Sequence, residues 1–193
     1  MKLGESLTLT RDCLAMQIPS GIPFPIAAGT TVRLTQALGG SYTVITDQGY
    51  MVRIDAKDAD ALGLTVETAP GNSAQAGTEF NEDLIWEQLR AVYDPEIPVN
   101  VVDLGLIYEC KIVPAENGNH VDIKMTMTAP GCGMADVLKS DIHRRLGGLP
   151  SVNGVNVEVV FDPPWNPSRM SEAARLQLGL DLDPAAFPMY GNY

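Results

Sequence analysis

Residues 67–79, ETAPGNSAQAGTE, constrain the architecture more than any other stretch of the chain. They are small and polar with no apolar period, so they read as a flexible linker that no hydrophobic core can run through. The chain must therefore close a core on each side of them. With 193 residues, 45% apolar and 19% charged, there is material for two small globular domains.

The side chains before the linker alternate. TTVRLTQA and SYTVIT flank LGGS, and YMVRID follows the turn DQG, so residues 30–54 are expected to form a three-stranded meander. SLTLTRDCLAMQI adds a strand or two, and DADALG reads as one helical turn closed by Gly63. Residues 1–66 thus make a small β-rich domain, a sandwich or barrel near the lower size limit for a self-sufficient core. Cys13 is expected inside it as a small hydrophobe.

The period changes after the linker. In NEDLIWEQLRAVYDP, Asn81 is placed as an N-cap with Glu82 and Asp83 in the first turn, and Asp94-Pro95 is expected to stop the helix. VVDLGLIYECKIV and HVDIKMTMT form a hairpin around PAENGN. MADVLKSDIHRRLGGL is a helix with Met134, Val137, Leu138, Ile142 and Leu146 on one face, and VNVEVVF is a third strand. FDPPWNPSRMSEAARLQLGL runs extended and ends in a short helix. The expected fold class is α+β: a small N-terminal all-β domain followed by a compact α-β-β-α-β-α sheet-and-helix domain over residues 80–180, with a C-terminal tail at 181–193.

TAPGCGM, residues 128–134, places a cysteine between two glycines at the turn into the second helix. Backbone N–H groups of Gly133, Met134 and Ala135 should lack helical partners there, which favours a thiolate at Cys132. Gly131 and Gly133 leave the sulfur uncrowded. The hairpin's apolar faces set Ile112 against Val121 and Leu106 against Met127, which brings the DPEIPVNVVD loop to the thiol with Asp103 as its nearest polar group. Trp165 reads as an aromatic packed over the sheet edge, Arg144-Arg145 as a solvated helix end, and Asp94 and Glu96 as turn-forming residues.

Several chemistries are disfavoured. The formal charge of −11 argues against nucleic acid as a partner, because phosphate binding needs a basic face. Apolar runs are far shorter than the roughly 20 residues of a membrane span, and MKLGESLTLT lacks a signal-peptide core. Three unevenly spaced cysteines suit a reducing compartment, so the cytoplasm is expected. His120 lies at the far end of the hairpin, and His143 is about 16 Å of helical rise beyond the thiol, so neither serves as its base. Cys110 pairs far down the sheet, and no Cys-x-x-Cys spacing exists. One cysteine could hold an iron–sulfur cluster only by sharing it with a second subunit, a small thiol or a client protein.

YDPEIPVNVVDLGLIYEC, MTMTAPGCGMADVLKSDI and VNVEVVFDPPWNPSRMSEAAR together resemble the MIP-eighteen-like, or SufT/PaaD-like, domain of iron–sulfur assembly. RDC, IPSG, TQALGGSYTV and DADALG are similar to the extra domain of SufT proteins. The resemblance implies a non-catalytic maturation factor whose reactive cysteine falls on Cys132 and whose acidic signature falls on Asp94, Glu96 and Asp103. It implies Cys132, supported by Gly131, Gly133 and Asp103, as the ligand for a transient iron–sulfur cluster. Its implied partners are iron–sulfur assembly proteins and apoprotein clients, with homo-oligomers common among relatives. An adaptor that links cluster carriers to targets without binding metal is the alternative.

Overall fold

The computed structural model describes residues 2–64, 81–116 and 118–180. The linker at 67–79 and the tail at 181–193 lie outside the described residues. Among those described, nine strands form two sheets in an α+β molecule.

The first sheet contains β1 (Ser6–Thr8), β2 (Cys13–Gln17), β3 (Pro23–Ile26), β4 (Thr31–Leu38), β5 (Ser41–Thr46) and β6 (Met51–Ile54). Its order is β1-β4-β5-β6-β2-β3 with every pairing antiparallel, so it forms one sheet with β1 and β3 at the edges. Val32, Leu34, Val44, Val52, Ile54, Cys13 and Ala15 build the core on one face, closed by a 3-10 turn at Ala56–Leu62. Gly63 ends that turn at φ 71°, donating back to the carbonyls of Ala59 and Asp60.

The alternation breaks once, at a β-bulge between Leu34 and Gln36. Leu34 pairs with Val44 and faces the core, and Gln36, two residues on, pairs with Thr43 on the opposite face. The extra residue, Thr35, is what turns Gln36 outward. Adjacent polar residues in TVRLTQAL mark this position in the sequence.

The second sheet is β7 (Ile107–Ala115), β8 (Gly118–Met125) and β9 (Val152–Val159) in the order β7-β8-β9. β7 and β8 form the hairpin, and β8 and β9 are parallel, joined through α2 (Ala135–Leu146) as a crossover. α1 (Glu82–Arg90) starts where Asn81 Oδ1 accepts from Asp83 N–H at 3.0 Å and ends at Ala91, before Asp94-Pro95. Ile85 and Leu89 of α1, Leu138, Ile142 and Leu146 of α2, and Val121, Ile123 and Met125 of β8 share one buried cluster. Burying each such side chain stabilises the fold by about 1.5–3 kcal/mol. α3 (Glu172–Gln177) follows, and Trp165 Nε1 donates to the carbonyl of Leu104 at 2.8 Å while its ring packs on the cluster.

In the hairpin Ile112 lies opposite Val121 and Cys110 opposite Ile123, but a bulge at Tyr108 pairs Ile107 with Met125. The expected Leu106–Met127 pairing is therefore lost, and Leu106 O instead accepts from Thr126 N–H. The bulge turns the Tyr108 ring outward, under the Arg169 guanidinium at 4.0 Å, with its hydroxyl on the carbonyl of Pro163.

The two sheets meet through side chains of opposite halves. The buried Arg53 of β6 pairs with the buried Asp141 of α2. Arg144 bridges Asp55 at 2.9 Å and Asp141 at 2.7 Å, and Arg145 donates to the carbonyl of Gly39 at 2.5 Å. Arg144-Arg145 is therefore an inter-sheet clasp rather than a solvated helix end. The residues chosen by both cores leave Asp141 inside, where an arginine from the other half can reach it.

Candidate functional site around Cys132

Cys132 is half-buried just before α2, whose first residue is Ala135 and whose N-cap is Met134. Gly131 holds φ at 79° in open space, a backbone conformation that an L side chain would strain. The sulfur packs against two apolar clusters. One is the main core, and the other is formed by Ile18, Met134 and Val137 with Met16 and Met51.

The three N–H groups expected to serve the thiolate are divided. Gly133 N–H donates to the carbonyl of Pro19 at 3.1 Å, and Ala135 N–H points to the carbonyl of Cys132 at 3.4 Å. Met134 N–H is the one that favours the thiolate. Against it stand burial, the larger effect, and the carboxylates of Asp94 and Glu96, so the Cys132 thiol is pushed up from its ordinary value. Burial and the acidic neighbours thus outweigh the helix N-terminus, which alone would favour the thiolate.

The acidic neighbours also differ from expectation. Asp94 and Glu96 act on Cys132. Asp103 instead accepts from Asn100 Nδ2 at 2.6 Å and lines a separate cleft with Asn100, Tyr93 and Gln177. Asp94 is 5% exposed and accepts from the N–H groups of Glu96 and Ile97, both at 2.9 Å, so it builds the turn as well as charging the site. Burial raises Asp94, and burial together with Asp94 raises Glu96.

At Gly133 the space that a side chain would take is filled by the Ser20 backbone. A Cβ there would lie 1.9 Å from the carbonyl oxygen of Ser20, and one on Gly21 would lie 2.0 Å from that of Gly133. Two glycines let the Ile18–Gly21 turn of the first sheet lie backbone to backbone against the cysteine loop. Sequence reasoning missed this contact because IPSG and PGCG each look like an ordinary surface turn.

The other cysteines are elsewhere. Cys13 is buried in the first core, which raises it. Cys110 is pushed up to about 11, first by burial and then by Glu82. All three are free, and no group of three His, Cys, Asp or Glu residues suited to a metal ion occurs among the described residues. Cys132 can therefore supply one soft ligand, with the hard oxygens of Asp94 and Glu96 nearby.

Residues 82–159 match the model of the family described as iron–sulfur cluster assembly protein. A Porphyromonas gingivalis protein named Fe-S protein maturation auxiliary factor is 46% identical over 101 residues, covering 52% of this chain and 92% of the relative. The Bacillus subtilis factor YitW is 36% identical, covering 53% and 97%. The Staphylococcus aureus factor SufT is 30% identical, covering 46% and 98%. About half of this chain thus spans nearly the full length of each relative, and the first sheet lies outside the residues that the family model matches. The second sheet, α1, α2 and the Cys132 turn fall within the match, and the chain belongs to the iron–sulfur cluster assembly protein family.

Proposed function

We propose that the chain is a non-catalytic maturation factor that carries iron–sulfur species transiently through Cys132 and hands them to apoprotein clients. Support comes above all from a single half-buried thiol on an open glycine turn with no second thiol or imidazole beside it among the described residues. One protein ligand leaves the rest of the cargo's coordination to a donor, a second subunit or the client, and so permits transfer. Burial and the carboxylates of Asp94 and Glu96 raise the thiol, so binding of iron would release its proton. Gly131 and Asp103 belong to the loops around this site, and Gly133 fixes the turn. The proposed setting is the reducing cytoplasm, with iron–sulfur assembly proteins as partners and with neither nucleic acid nor membrane. No described helix is long and apolar enough to cross a membrane.

The raised thiol favours a second reading, an adaptor that joins carriers to clients without binding metal itself. Anaerobic reconstitution with iron and sulfide separates the two. The carrier reading expects the chain to retain iron and sulfide after desalting and Cys132→Ala to lose them. Retention by neither protein leaves the adaptor, and equal retention by both removes Cys132 as the ligand and overturns the carrier reading.

A further inference from the structure

The outward row of the first sheet reads, strand by strand, Gln36, Thr43, Arg53, Met16 and Pro23, each residue paired with the next across β4, β5, β6, β2 and β3. The first four of these touch the other half of the molecule. Gln36 Nε2 donates to the carbonyl of Asp94 at 2.9 Å, and Thr43 Oγ1 donates to the carbonyl of Pro95 at 3.2 Å, both buried. Arg53 pairs with Asp141 on α2. Met16 packs into the cluster that holds Met134 and Cys132. Beyond the row's end, Pro19 accepts from Gly133.

The first sheet thus grips both loops that surround the thiol, the turn carrying Asp94 and Glu96 and the turn carrying Cys132. The grip uses backbone groups of the loops, the carbonyls of Asp94 and Pro95 and the N–H of Gly133, so it fixes their paths without consuming their side chains. A buried threonine and glutamine would be costly on this face unless their donors were satisfied, and they are satisfied by these two carbonyls. The bulge at Thr35 exists at the one place that turns Gln36 to this row.

We propose that the first sheet is a part of the Cys132 site, with Gln36 and Thr43 as positioning residues that hold the Asp94–Pro95 turn and thereby set the access and surroundings of the thiol. This rests on Cys132 being the working residue, as proposed above. The family model's match begins at residue 82, so this is a task for the segment that the family comparison leaves without one. The short relatives' sites would have to be held by other means.

The test uses the full chain without iron and follows iodoacetamide modification at fixed pH, resolved by peptide mass spectrometry at Cys13, Cys110 and Cys132. Thr43→Val and Gln36→Met keep volume and remove the donors. Each is expected to speed modification of Cys132 by about three- to tenfold through easier local opening, with Cys13 and Cys110 unchanged. Thr43→Ser, which keeps the hydroxyl, is expected to restore the wild-type rate. An unchanged Cys132 rate, or equal acceleration at all three cysteines, overturns the proposal, since the second outcome is what a merely structural role gives. Should the variants fail to fold, amide exchange of the unaltered chain decides. The amides of Glu96, Ile97 and Gly133 should open together with those of β5, and independent opening overturns the proposal. No iron enters these measurements, so a failed reconstitution and a failed grip are told apart.

Discussion

At Cys132 a helix N-terminus and two carboxylates act in opposite directions, and burial decides between them. One N–H, from Met134, favours the charged sulfur, whereas desolvation, Asp94 and Glu96 disfavour it. Asp94→Asn keeps an oxygen to accept from Glu96 and Ile97 and removes the charge. Its Cys132 should be alkylated faster than wild type at pH 7, by about two- to fivefold if the pKa falls by some tenths of a unit; an equal or slower rate argues against electrostatic control by Asp94. The same residue gives a stability signature. Burial raises folded Asp94, so the folded chain binds this proton more tightly than the unfolded chain. That contribution is full below the unfolded value, near 3.9, and is lost as pH rises through the folded value. The urea midpoint of Asp94→Asn should therefore gain on wild type between about pH 4 and pH 7. The opposite trend would show that the backbone hydrogen bonds, not burial, dominate. The residue types at this site were legible in the sequence, but the sign of the thiol's shift was not, because burial comes from distant segments.

At the scale of elements, two irregularities do most of the positioning. The bulge at Thr35 sends Gln36 to the other half of the molecule, and the bulge at Tyr108 sets Ile107 against Met125. Strand periods are readable because a face is buried, and a bulge is hidden because it satisfies tertiary rather than local demands. TQ in TVRLTQAL carried a local signal, two polar residues in succession; Tyr108 carried none. The turn contact between Gly21 and Gly133 belongs to this scale too. Gly133 lacks a left-handed φ, so Gly133→Ala tests the contact rather than backbone strain. Displacing Ser20 should cost about 1–3 kcal/mol, read as a lower thermal midpoint. A midpoint equal to wild type would show that the turn yields freely. The cap at Asn81 and the α2 core stripe were readable directly, since capping and helical period are local properties.

For the whole molecule, charge holds the two sheets in one arrangement. Arg53 and Asp141 are 5% and 6% exposed, and Arg144 supplies a second partner to the same carboxylate. Burial still pushes Asp141 up, with the two arginines opposing it. Such a pair specifies an orientation more than it adds stability. Removing one partner by Arg53→Met should cost about 3–5 kcal/mol in urea unfolding, while Arg53→Met with Asp141→Leu should recover most of it. If the double variant is as unstable as the single one, the pair is contributing net stability rather than specificity. The family match begins at residue 82, after the first sheet, and these ion pairs join the buried hydrogen bonds of Gln36 and Thr43 in coupling that sheet to the rest.

The sequence by itself determined the elements whose causes are local: the meander of β4 to β6, the capped α1, the amphipathic α2 and the glycine turn that carries Cys132. It also carried the motifs of an iron–sulfur assembly domain. Only the tertiary structure decided that burial, Asp94 and Glu96 raise the thiol and that the first sheet contacts both loops around it. The physical reason is that alternation and capping are set by neighbours along the chain. The field at a sulfur, and the partners of a buried glutamine, threonine or arginine, are set by residues dozens of positions away that only packing brings together.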